Sequence, residues 1–105
     1  MENQQFLYKL KLVDRWTTEE NWTDKENDIV ARHFRYLTKL LEDKILIFAG
    51  KTKGLDSSTF GIVIFQAETE DEAVSIMNQD PAVKEGIMTA ELFPFQVALM
   101  QDLRP

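Results

Sequence analysis

Strand-forming segments in this chain carry apolar residues on both faces, and that constrains the fold more than any other property of the sequence. In Thr59–Ala67, Phe60, Ile62 and Ile64 oppose Val63, Phe65 and Ala67. In Lys44–Ala49, Ile45 and Ile47 oppose Leu46 and Phe48, and in Ile87–Leu99 the residues Phe93, Phe95, Val97 and Leu99 share one face. A sheet with one face in water alternates to polar residues on that face. This one needs a layer on each side. Two helices can supply one layer. A second copy of the chain is the economical source of the other, because two-fold homodimers are the commonest assemblies and monomers seldom expose large apolar patches. The C-terminal residues Met100 and Leu103 offer too little apolar surface to do the same.

Local start signals set the order of elements. Gln5–Val13 alternates with a period of two, Phe6, Tyr8, Leu10 and Leu12 facing one way, and predicts a strand. Asp14–Trp22 is polar, holds both tryptophans and reads as a loop. Thr23 followed by Glu26 is a capping-box pattern that opens a helix over Asp24–Glu42, with stripes Val30/Phe34/Leu37/Leu41 and Ile29/His33/Tyr36/Leu40. The strand Lys44–Ala49 ends at Gly50, and Lys51–Ser58 forms a hairpin loop to the strand Thr59–Ala67. Thr69 and Glu72 repeat the capping pattern for a second helix. Asp80-Pro81 restarts the chain as a short helical turn that Gly86 can close. In the last strand, Ile87–Leu99, Pro94 removes a ladder donor and assigns the strand to an edge or a bend. The order β-α-β-β-α-β with right-handed crossovers is a ferredoxin-like α+β fold, an antiparallel four-stranded sheet with both helices on one face. Residues 1–105 read as a single domain, with a loose tail from Met100.

Composition excludes several functions. The net charge of −6 repels a phosphate backbone, and no Lys/Arg stripe offsets it, so neither nucleic acid nor an anionic membrane is an expected partner. No cysteine is present, which removes disulfides, thiol nucleophiles and thiolate metal sites and suits a reducing cytoplasm. The N-terminal residues lack the basic and apolar regions of a secretory signal, so a cytoplasmic location is expected. No metal is expected, since one histidine without recurrent carboxylate spacing falls short of a site. No cofactor motif stands out either. Gly50-Lys51-Thr52 resembles the end of a phosphate-binding loop, but Ile45 stands where the first glycine belongs and a hairpin follows instead of a helix. Glu70, Asp71 and Glu72 occupy a helix's first turn, where the macrodipole favours them.

His33 is the only side chain that ordinarily titrates near neutrality, and it flanks the apolar stripe of the long helix. Periodicity alone favours a packed helix-edge histidine over a functional one. Asp80 is well placed as a helix cap, and a carboxylate can also orient an imidazole. With side-by-side antiparallel helices, Asp80 falls near the edge where the first helix begins. His33 lies ten residues in, about 15 Å along the axis, so contact requires the chain after Met77 to fold back or a water to stand between them. Trp16 and Trp22 are placed either to roof a pocket or to cover the core edge.

Several segments together resemble the YCII-like family: Val30-Ala31-Arg32-His33-Phe34-Arg35-Tyr36-Leu37 continuing to Ala49-Gly50, Ala67-Glu68-Thr69-Glu70-Asp71-Glu72-Ala73, Asp80-Pro81-Ala82-Val83-Lys84-Glu85-Gly86-Ile87, and Phe93-Pro94-Phe95. The resemblance spans Tyr8 to about Phe95. It implies a dimeric ferredoxin-like α/β barrel and an active site containing a histidine and an aspartate, matching His33 and Asp80. Gly50 and Tyr36 accompany them as candidate substrate-binding positions. Some relatives act as a dehydrochlorinase on chlorinated aromatics. The chain departs from the family pattern in having Gly50-Lys51 where Gly-Pro is frequent, Val30 where an arginine is frequent, and a longer loop around Trp16 and Trp22. Three readings stay open at this stage. One is a small-molecule enzyme using His33 and Asp80 for acid/base chemistry of lyase or dehydrochlorinase type. The others are a non-catalytic ligand-binding or regulatory dimer, and a haem-binding barrel with His33 as axial ligand.

Overall fold

The computed structural model describes residues 3–101. β1 (Gln4–Leu12) leads through two 3-10 turns, Asp14–Thr17 and Glu19–Asn21, into α1 (Asp24–Glu42). β2 (Leu46–Lys51) and β3 (Gly61–Ala67) form a hairpin, followed by α2 (Glu70–Gln79), the short α3 (Pro81–Lys84) and β4 (Met88–Phe95). The sheet order is β2-β3-β1-β4 and every neighbouring pair is antiparallel. Each helical crossover therefore joins two parallel strands with another strand between them, the split βαβ of the ferredoxin-like fold. Among the described residues no helix is long and apolar enough to cross a membrane.

The expected caps form. Thr23 accepts from the Lys25 N–H, and the Glu26 carboxylate closes the capping box on the Thr23 backbone N–H and hydroxyl. The Thr23 hydroxyl holds the Glu26 carboxyl below its ordinary pKa. Thr69 accepts from the Glu72 N–H at 3.1 Å, Asp80 caps α3, and Gly86 closes that turn with φ +82°. Asp14–Trp22, expected as plain loop, is pinned by its own side chains: Thr17 Oγ1 donates to the Asp14 carbonyl, Asn21 to that of Arg15, and Trp22 Nε1 to that of Trp16.

α1 ends on a feature that periodicity does not announce. Ile45 N–H returns to the Leu40 carbonyl (2.9 Å) and Lys44 N–H to the Leu41 carbonyl (3.1 Å), the paired bonds of a Schellman motif. Its left-handed position is Lys44, with φ 64°, the only non-glycine residue of positive φ among the described residues. A side chain there costs about 1–2 kcal/mol, and glycine's greater entropy in the unfolded chain offsets part of the relief. Lys44→Gly should therefore stabilise the fold by about 0.5–1 kcal/mol. The expected readout is a raised urea midpoint with an unchanged slope; a lowered midpoint would contradict the strain.

Phe6, Tyr8, Leu10, Leu46, Val63, Phe65 and Ala67 meet Leu37 and Leu40 of α1 and Ala73 and Ile76 of α2 in the main core. On the outer face Leu7 pairs with Ile64 on one side and Phe93 on the other, with Ile62, Phe48 and Phe95 around them. Phe48 corrects the expected pattern. A bulge between Leu46 and Phe48 sets Leu46 opposite Phe65 but Phe48 opposite Ile64, moving Phe48 to the outer face and Ala49, opposite Val63, back to the helix side. β4 lies at an edge, one of the two placements Pro94 permits, but stops at Phe95 rather than Leu99, because β1 begins beside it at Gln4–Gln5 and offers no further partner. Beyond it the Val97 N–H donates to the Gln5 side chain, and Gln96–Met100 share a shallow groove with Phe48 and Ile64. The expected loose tail falls partly on residues 102–105, outside the described residues.

Candidate functional site

Helix lengths decide where the two candidate catalytic residues meet. α1 has 19 residues and α2 has 10, so at 1.5 Å per residue they span about 28 and 15 Å. Both start or end at the edge where β3 ends, α1 arriving there and α2 leaving. The shorter helix consequently stops partway along its neighbour, about level with His33, and not at the start of α1. The chain turns at Asp80, whose N–H returns to the Met77 carbonyl, and α3 packs against α1. Asp80 Oδ1 and His33 Nδ1 are 2.6 Å apart, so the contact that the sequence left conditional is direct.

Asp80 is fully buried and accepts from three groups. Oδ1 takes the Ala82 N–H (3.0 Å) together with the imidazole, and Oδ2 takes the Tyr8 hydroxyl (2.7 Å). With Tyr8 and Ala82 already donating to it, the carboxylate suits the tautomer of His33 that carries its proton on Nδ1. That tautomer leaves Nε2 as the basic nitrogen of the ring. Tyr8 was missed as a site residue in the strand pattern, although a tyrosine alone among Phe6 and Leu10 on an inward face carries a hydroxyl that must find a partner. Its pKa is driven far above the ordinary value by burial first and the Asp80 charge second, so it stays protonated and keeps donating. Among the described residues no buried side-chain polar atom lacks a partner.

His33 forms part of the wall of a cavity of about 400 Å³ between α1 and one end of the sheet, within the usual range for small-molecule sites. α1 contributes Val30, His33, Phe34 and Leu37; the sheet contributes Leu10, Gly50, Gly61 and Val63 among others; Trp22 and Leu55 line it from the connecting segments. Gly50 thus lines the cavity. Tyr36 does not: its hydroxyl donates to the Ile76 carbonyl at 2.8 Å, tying α1 to α2 one turn beyond His33. Burial, with the Asp80 charge, pushes the Tyr36 pKa up to about 12. Both tryptophans pack on the cluster of Ile29, Ala82 and Ile87, and Trp22 lines the cavity as well. Arg32 pairs with Asp28 and approaches Glu85, outside the cavity lining. No group of three His, Asp or Glu side chains that could hold a metal occurs among the described residues.

The arrangement offers one base, oriented from behind by a buried carboxylate, on the wall of an apolar cavity. Two solved structures provide comparisons. The chain is similar to the 5-chloro-2-hydroxyhydroquinone dehydrochlorinase of Burkholderia phenoliruptrix, solved with 2,5-dihydroxybenzoquinone, at 24% identity and TM-score 0.67 over 90% of this chain and 95% of that one. An uncharacterized protein of Thermotoga maritima aligns at 8% identity and TM-score 0.48, over 90% of this chain and 100% of that one. A comparison with curated proteins returned no match. The YCII-related domain matches residues 12–96, a span that runs from the end of β1 through His33 and Asp80 to the end of β4, and the chain belongs to that family.

Proposed function

We propose that the protein is a small-molecule enzyme in which His33 acts as general acid/base through Nε2, oriented by Asp80, on an aromatic substrate held in the adjoining cavity. The carrying observation is the 2.6 Å His33–Asp80 contact behind a ring that faces an apolar cavity. A carboxylate behind an imidazole holds its tautomer and stabilises the imidazolium formed during proton transfer. Elimination of hydrogen chloride suits such a site: the base takes one proton and chloride departs with the electrons of the carbon–chlorine bond. The dehydrochlorinase neighbour lends support to that class of reaction.

The test is chloride release from chlorinated hydroxyhydroquinones. His33→Ala and Asp80→Asn should each lower turnover by about 10²–10⁴-fold. Full activity in both variants would remove the catalytic assignment and leave a ligand-binding dimer.

We propose further that the working unit is a two-fold dimer joined through the outer sheet face. Phe48, Phe93 and Phe95 are 45%, 39% and 39% exposed there, around Leu7 and Ile64. Gln5, Lys9, Gln66 and Glu91 occupy the margins of the same face, giving the apolar centre and polar rim typical of interfaces.

A further inference from the structure

Of the cavity's lining residues only His33 and Lys51 carry ionisable side chains. The chain has 18 acidic residues, yet no carboxylate lines this cavity; Asp80 lies behind the His33 ring. Lys51 is exposed, lines the cavity from the end of β2, and directly opposes Gly61 across the β2–β3 ladder. Its ammonium is tethered to the Thr52 carbonyl (3.1 Å) and the Gly54 carbonyl (3.3 Å), which occupy two of its three N–H donors. Among the described residues it makes no ion pair, so its charge is uncompensated there.

Gly61 gives the same end of the cavity its shape. Its φ is not positive, so the backbone does not demand glycine. A β-carbon there would sit 3.4 Å from the Gly50 carbonyl oxygen, 3.7 Å from Lys51 Cβ and 3.8 Å from Leu10 Cβ. These are ordinary contacts that the fold could accept. A glycine within a strand often marks a place where a ligand approaches the backbone closely. Here it leaves a low floor beside the lysine.

We propose that this cavity selects ring-sized apolar anions, the ring lying over Gly61 and the anionic substituent meeting Lys51, with His33 addressing the molecule from α1. The proposal rests on the cavity being the substrate site and specifies the substrate class. Lys51 offers an anion a charge-assisted hydrogen bond that a neutral ring of the same size cannot make, so it discriminates between the two.

A matched dye pair tests this without any knowledge of the substrate. 1-Anilinonaphthalene-8-sulfonate and the uncharged N-phenyl-1-naphthylamine share one ring system, and both are read by fluorescence titration. The wild type should bind the sulfonate about tenfold more tightly than the neutral dye, the scale of one charge-assisted hydrogen bond. Lys51→Met should erase that preference while leaving the neutral dye within about twofold, and Lys51→Arg should retain it. Gly61→Val, with folding verified by urea titration, should weaken both dyes. Equal losses for both dyes in Lys51→Met would overturn the proposal, since the lysine would then contribute only its aliphatic stem. Dye binding indifferent to Gly61→Val, or absent altogether, would overturn it together with the cavity's role as a substrate site. If His33→Ala abolishes turnover while Lys51→Met leaves the sulfonate preference intact, the anion selection alone falls and the catalytic reading stands.

Discussion

Asp80→Ala should cost about 3–5 kcal/mol of folding stability, a large share of the roughly 5–15 kcal/mol available to a domain of this size. The loss has three parts. The Tyr8 hydroxyl is left buried without an acceptor, His33 Nδ1 loses its partner, and α3 loses its cap at Ala82. Leaving one buried donor unpaired costs about 1–3 kcal/mol and losing an N-cap about 1 kcal/mol. A double-mutant cycle separates these contributions. Tyr8→Phe alone should cost about 1.5–3 kcal/mol, because the carboxylate loses a buried donor. In the Asp80→Ala background the same change should cost nothing or restore stability, since the stranded hydroxyl is removed with it. Additive losses in urea titration would show that Tyr8 and Asp80 do not act as a pair. Asp80→Asn keeps the acceptor for Ala82 and an amide within reach of Tyr8, so it should fold closer to wild type while losing the charge behind His33. That separation makes Asn, rather than Ala, the variant for the turnover assay.

Leu7→Glu should convert the proposed dimer to a monomer. Leu7 occupies the middle of the outer face, on an inner strand, with Ile64 and Phe93 as its cross-strand neighbours. In a face-to-face two-fold dimer, a carboxylate there is stripped of water and brought toward its own symmetry mate. Like charges so placed cost several kcal/mol, which weakens association by about 10³-fold or more. In a monomer the same side chain turns to solvent on a face that contributes nothing to the main core, so folding should survive. Light scattering at micromolar concentration should give twice the chain mass for wild type and the single-chain mass for Leu7→Glu. A monomeric wild type would refute the dimer outright, and a dimeric variant would move the interface elsewhere.

The chemistry at His33 shows how much a single chain discloses. The residue was singled out by its titration range and its place beside an apolar stripe, and Asp80 by its cap position before Pro81. Their meeting was not legible, because a distance measured from the start of α1 takes no account of where α2 stops. Tyr8 went unrecognised for a related reason. On its strand it is one inward residue among several, and only the fold brings Asp80 to its hydroxyl, 72 positions away in sequence.

Sequence by itself determined the elements that depend on neighbours in the chain: the limits of α1, its capping box, the Asp80 cap, the β-α-β-β-α-β order and the restriction of the strand containing Pro94 to an edge or a bend. These follow from periodicity and backbone donors, which act over a few residues. Tertiary structure alone decided the Tyr8–Asp80–His33 network, the bulge that turned Phe48 outward, and the cavity that His33 and Lys51 both line. Each depends on how far one packed element reaches along another. Such distances are set by relative lengths and strand register, and no local pattern records them.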